Sequence, residues 1–120
     1  MSFEGLEKAF KMLQEKSDAG DAVEVLIKDV EDNPYYKSVG YGGLPNRECV
    51  VETDSAYMDG NTLKVGAIAG ASGIKNPISV SKDLTRLDVN NLLVGAGAEK
   101  YARDNGFEMC DMLTDRAKKM

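Results

Sequence analysis

Histidine is absent from all 120 residues, and so is tryptophan. Without an imidazole the chain offers neither a Ser-His-Asp relay nor a Cys-His pair, because both need that group as general base. Cysteine occurs twice, at Cys49 and Cys110, with no CxxC spacing. No zinc site of the usual soft ligands is expected from such a set. Neither cysteine stands in an activating cluster, so each reads as a buried or neutral thiol. Positive charge is also in deficit: 15 Lys and Arg face 20 Asp and Glu, for a net charge of −5. Nucleic acid calls for a basic face and is therefore not an expected partner. No apolar run approaches the roughly 20 residues of a membrane span. The opening MSFEGLEK runs into a charged amphipathic pattern and not into a secretory signal. These features favour a cytoplasmic location, with no membrane partner.

What is present suits a globular fold. Hydrophobic residues make up 42% and charged residues 29%, and the length is that of one domain, read here as a single partial domain over 1–120. Phe3, Leu6, Ala9, Phe10 and Leu13 recur at helical spacing, with Ser2 as N-cap and Gly20 closing the helix. A second helix carries Val23, Leu26, Ile27 and Val30 and stops at Asn33-Pro34. Each helix has one apolar stripe, so the pair must pack on something else. Residues 35–49 read as a loop, since Gly40, Gly42, Gly43 and Pro45 favour irregular backbone. Two strands follow, Val50 to Met58 and Thr62 to Ala69, joined at Asp59-Gly60 by a type I′ turn. Asn76 and Pro77 open a short helix that buries Ile78, Val80 and Leu84. Leu92 to Val94 forms a strand, Ala98, Tyr101 and Ala102 a helix ended by Gly106, and Thr114 starts a further turn. The order predicts an α/β (α+β) domain with helices packed on a mixed sheet.

The chemistry is then a question of which groups are left. An N-terminal nucleophile uses the α-amino group of its own residue as base, with an unperturbed pKa near ~8. Ser2 would qualify by type after loss of Met1, but a helix N-cap is the simpler reading. Asp54 and Asp59 are candidates for a carboxylate pair; five apart on a strand, they point to opposite faces, and turn and local bonding roles fit them better. Gly95-Ala96-Gly97-Ala98 imitates a dinucleotide fingerprint without its third glycine. Lys75-Asn76-Pro77 is a helix start first.

Four segments, in order, carry a resemblance: Ser38-Val39-Gly40-Tyr41-Gly42-Gly43-Leu44-Pro45, ETDSAYMDG at 52–60, the run through Ile74-Lys75-Asn76-Pro77-Ile78, and LLVGAGAEKYA at 92–102. Together they resemble the α-chain half of the glycosylasparaginase and isoaspartyl-peptidase/asparaginase family of N-terminal-nucleophile hydrolases. The resemblance implies a partial αββα four-layer sandwich and autoproteolytic processing. It also implies hydrolysis of asparagine-type amides by a threonine that heads a separate β chain of the same precursor. No cofactor and no metal are implied, and the assembly would be (αβ)₂ or a homodimer acting on a small amide. Within this chain the resemblance implies supporting roles for Ser38, Gly40 and Gly42, and no nucleophile. None of the threonines Thr53, Thr62, Thr85 and Thr114 follows an aspartate, so no internal cleavage junction is offered; Asp54-Ser55 is the nearest imitation. The family's first strand, with its tryptophan, and the segment leading to the cleavage site have no counterpart in the sequence. The alternative expectation is a catalytically inactive truncated homologue acting as a structural or interaction module.

Overall fold

The computed structural model describes residues 3–120; Ser2, and with it the expected N-cap, lies outside them. Five helices and three strands follow the predicted order: α1 (Phe3–Gln14), α2 (Ala19–Glu31), β1 (Glu52–Met58), β2 (Val65–Ser72), α3 (Pro77–Leu84), β3 (Leu92–Val94), α4 (Ala96–Asp104) and α5 (Asp115–Lys118). The sheet order is β1-β2-β3, antiparallel between the first pair and parallel between the second. The fold is thus a mixed α/β arrangement around a small three-stranded sheet.

The helical hairpin packs by its small residues. Gly5 and Ala9 are the buried positions of α1, and Gly5 lies so close to α2 that a Cβ would meet the Asp29 Cβ at 2.8 Å. The Gly5 amide donates to the Asp29 carboxylate at 3.2 Å. The expected apolar stripe of α1 therefore faces outward, with Phe3, Leu6, Phe10 and Leu13 all exposed. Gly20 does not end α1. The left-handed residue there is Lys16, at φ 60°, and Gly20 sits in the first turn of α2. Asp18 caps that helix by accepting from the Gly20 amide at 2.7 Å. The Tyr57 hydroxyl fills the space a side chain at 20 would take, so a larger residue there must displace the Tyr57 ring.

The strands also begin later than their composition suggests. Val50 and Val51 precede β1, and β2 starts at Val65. The connection between them is not a two-residue type I′ turn: it runs from 59 to 64, with Leu63 in the left-handed region at φ 58° and the Asp59 amide donating to the Lys64 carbonyl at 2.9 Å. Asp59 organises it, its carboxylate accepting from the Asn61 amide at 2.8 Å. Between Thr53 and Ser55 the register shifts, from Thr53 opposite Ala71 to Ser55 opposite Ile68. The extra residue lies on β2, where Gly70 takes φ 55°.

Helices α3 and α4 cover one face of the sheet. Ile68, Ala71, Ile74, Val80, Leu84, Ala98 and Ala102 form the core there. The predicted burial of Ile78, Val80 and Leu84 is observed. On the other face Met58 stands opposite Val65, Ala67 opposite Leu92, and Ala69 opposite Val94. Met58, Val65, Leu92 and Val94 are exposed at 57%, 40%, 61% and 63%, so this face is apolar and uncovered among the described residues. No helix among the described residues is long and apolar enough to cross a membrane.

Candidate functional site

The glycine-rich loop is shaped by where its amides go. The Tyr41 amide donates to the Glu31 carbonyl at 2.8 Å, Gly42 to the Met112 carbonyl at 2.8 Å, Gly43 to the Gly40 carbonyl at 3.1 Å, and Leu44 to the Lys37 carbonyl at 2.8 Å. These four bonds draw the loop inward against the end of α2 and the segment before α5. Gly40 and Gly42 make it possible by adopting φ 57° and 82°, a region that side chains resist. At Gly40 a Cβ would overlap the Glu31 backbone.

The outcome is a cavity of about 420 Å³ lined by Ser38, Gly40 and Gly43 from the loop, Glu31 and Pro77 from two helix ends, and Thr53 and Asp54 from β1. Ser38 is exposed at its edge, and its hydroxyl bonds to nothing among the described residues. That leaves it free to donate to or accept from a visiting group. Thr53 is not free: its hydroxyl donates to the Ala71 carbonyl at 3.2 Å. Asp54 is also engaged, accepting from the Gly70 amide at 2.7 Å across the bulge. Gly42 lies behind the loop, against Pro34 and Thr114.

Asp54 and Asp59 do not meet. Asp59 lines separate cavities between the start of α2 and the far end of β1. The Gly95 to Ala98 segment is a strand-to-helix turn with Gly95 at φ 51°. In the first turn of the helix it opens, Glu99 accepts from the amide and hydroxyl of Ser72 at 3.0 and 2.9 Å. Of the two cysteines read as buried or neutral thiols, Cys49 is exposed and Cys110 is half-buried. Burial pushes the Cys110 thiol up from its ordinary value, against the pull of the Lys75 ammonium, which keeps it protonated and unreactive. Among the described residues, no cluster of three or more His, Cys, Asp or Glu is arranged to hold a metal.

Glu31 is the residue that sequence reasoning missed. It is 5% exposed, although it sits in the last turn of a helix whose neighbours are charged. Its Oε1 accepts from the Ile78 amide at 3.1 Å and its Oε2 from the Asn76 side-chain amide at 3.3 Å. Asn76 occupies the N-cap position of α3 but makes no side-chain capping bond. Its amide is turned to Glu31 and, at 2.9 Å, to Asp32, so Glu31 caps α3 from another helix. Burial pushes the Glu31 carboxyl up to about 7, and the nearby Asp32 adds to the rise, while the Ile78 and Asn76 bonds hold it down. One signal was available: Glu31 and Asp32 place two acids at a helix C-terminus, where the macrodipole disfavours them.

Set beside known proteins, the chain matches a family model described as asparaginase over residues 3–120. It is 45% identical over 104 residues to a plant-type L-asparaginase of Pyrococcus abyssi, an alignment covering 87% of this chain and 34% of that protein. It is 40% identical over 112 residues to the N(4)-(beta-N-acetylglucosaminyl)-L-asparaginase of Elizabethkingia miricola, covering 93% of this chain and 33% of that one. With the isoaspartyl peptidase/L-asparaginase of Rattus norvegicus the identity is 32% over 123 residues, covering 97% and 37%. The chain spans about one third of the length of these relatives.

Proposed function

The chain belongs to the asparaginase family, and from that premise we propose that it is the α-chain portion of an amidohydrolase acting on asparagine-type side-chain amides. The substrate would be L-asparagine, an isoaspartyl peptide or a glycosylated asparagine. The match along residues 3–120 is the observation that carries this reading. The nucleophile is a threonine heading a second segment. Its hydroxyl attacks the amide carbon, its α-amino group takes the proton and delivers it to the departing amine, and water then cleaves the resulting ester to release aspartate. In this scheme Ser38 offers its hydroxyl to the threonine from the cavity edge, and Gly40 lets the loop approach without a side chain in the way.

The uncovered apolar sheet face fits the same reading. A second sheet packed on it, with an inner spacing of about 10 Å, would complete an αββα sandwich. Ala67 and Ala69, with Ala56 beside them, keep that face shallow enough for another layer.

The test combines mass and turnover. The purified protein is expected to contain a companion beginning in threonine and to release aspartate from at least one of the three substrate classes. Ser38→Ala is expected to cut kcat roughly tenfold, the value of one lost hydrogen bond. A 120-residue species that hydrolyses asparagine with no companion would overturn the proposal. A second reading, a non-catalytic homologue that buries the same face against another copy, predicts concentration-dependent oligomers in sedimentation and no aspartate release.

A further inference from the structure

We propose that the Glu31 side chain is a positioning residue that sets the Ser38–Gly40 turn by tying the end of α2 to the start of α3. Only its consequence for catalysis rests on the amidohydrolase reading; the coupling itself does not.

Three contacts converge on this one residue. Its backbone carbonyl accepts the Tyr41 amide at 2.8 Å. Its backbone also fills the space beside Gly40, so the loop lies against Glu31 with no gap in which to adjust. Its carboxylate reaches the other way, to the Ile78 amide at 3.1 Å and the Asn76 side chain at 3.3 Å. The α3 end is itself fixed, because Pro77 and Ile78 are buried. The carboxylate thus anchors the last turn of α2, and that turn carries the loop. A shift of the Glu31 backbone passes to Gly40 and Tyr41 directly, and Ser38 stands two residues before Gly40.

The groups around the carboxyl make this tie depend on its charge. Ile78 N–H and the Asn76 amide, both from α3, donate to the ionised form. Lys28 on its own helix favours ionisation and Asp32 opposes it. Lys37 from the loop and Glu52 and Asp54 from the β1 side line the same cavity. The ionised carboxylate has four lone-pair sites for these donors. Protonation turns one oxygen into a donor that faces the Asn76 N–H, so that bond weakens. Burial places this change near neutrality. The bonds of the tie therefore change over the same pH range in which Glu31 titrates.

The experiment is an NMR titration of the 120-residue chain from about pH 5 to about 9. The amides of Ile78, Gly40 and Tyr41 and the Asn76 side chain are followed together. They are expected to share one midpoint near 7, the value to which burial brings Glu31. In Glu31→Gln that shared transition disappears. In Asn76→Ala, which removes a donor to the carboxylate, it moves to higher pH. A purely structural Glu31 would give no common titration. Gly40 and Tyr41 amides that stay flat while Ile78 titrates would overturn the coupling, as would a midpoint that survives in Glu31→Gln. Should the Gln variant not fold, the wild-type and Asn76→Ala curves decide alone. None of these readouts involves turnover, so loss of the amidohydrolase reading would leave the result intact.

Discussion

Replacing Gly66 with alanine is the sharpest test of how α3 sits on the sheet. Gly66 is buried on β2, and its φ is not in the left-handed region, so alanine costs nothing in backbone conformation. The cost is spatial. A Cβ there would stand 2.9 Å from the Leu84 Cβ and 3.0 Å from the Thr85 amide nitrogen, with the Ser81 carbonyl oxygen nearer still. All three neighbours are backbone or Cβ atoms, so no flexible side-chain end can move aside. The helix must lift, and lifting it withdraws Val80 and Leu84 from Ile68 and Ala71 in the core. Overpacking of this kind costs about 1–3 kcal/mol, and the immobile neighbours place this case near the top, at about 3 kcal/mol. In a chain of this length that lowers the melting temperature by roughly 12 °C. Gly60→Ala is the control: nothing lies within 4 Å of its added Cβ and its φ is ordinary, so it is expected to be neutral or stabilising by up to about 1 kcal/mol. Thermal and urea melts of the two variants side by side give the answer. A Gly66→Ala protein that melts with the Gly60→Ala control would refute the close contact between α3 and β2.

Three further outcomes follow from individual bonds. Burial pushes the Glu31 carboxyl up to about 7 in the folded chain from an ordinary 4.5, so the folded state holds its proton longer than the unfolded one. Its contribution is complete below pH 4.5 and is lost as pH rises through 7. The loss amounts to at most roughly 3 kcal/mol, and the difference in stability between wild type and Glu31→Gln should change by that much across the window in urea melts at stepped pH. An unchanging difference would remove Glu31 as the titrating group. Ser81 buries its hydroxyl with no partner among the described residues, so Ser81→Ala should be stabilising by about 1 kcal/mol, seen as a later urea midpoint at constant slope. Asp18→Ala removes the cap on α2 and should cost about 1 kcal/mol, with hydrogen exchange quickened at Gly20 and the first turn of α2.

The order of elements was legible because it rests on local signals. Asn33-Pro34 stops α2, Asn76-Pro77 starts α3, and Thr114 caps α5 by accepting from the Ala117 amide at 3.2 Å. What was not legible depended on contacts between distant segments. Gly20 reads as a helix stop until Tyr57, from β1, is seen to fill the space beside it. Asp59-Gly60 reads as a tight turn, but Asp59 bonds forward to Asn61 and draws the connection out to residue 64. In the site, Ser38, Gly40 and Gly42 were named from the family resemblance; Ser38 and Gly40 line the cavity, and Gly42 lies behind the loop. Glu31 was passed over because a glutamate late in a charged helix reads as solvated. Its burial is created by α3, which lies 47 residues further along the chain.

The exposed apolar residues bear on what the fold is built to do. An antiparallel sheet with one face in water ordinarily carries polar residues on that face. Here the face opposite α3 and α4 presents Met58 beside Val65, Ala67 beside Leu92 and Ala69 beside Val94. Such a surface is costly to leave wet, at about 25 cal/mol per Å² of apolar area, and contiguous patches of this kind mark interaction surfaces. The outward stripe of α1 adds Phe3, Leu6, Phe10 and Leu13 to the exposed apolar residues. Meanwhile the polar loop holding Ser38 is fastened from outside by Glu31 and Met112 and closed on itself by the Leu44 to Lys37 bond. A polar loop held in place beside uncovered apolar layers fits the proposed role of a segment that is completed by a further layer of protein.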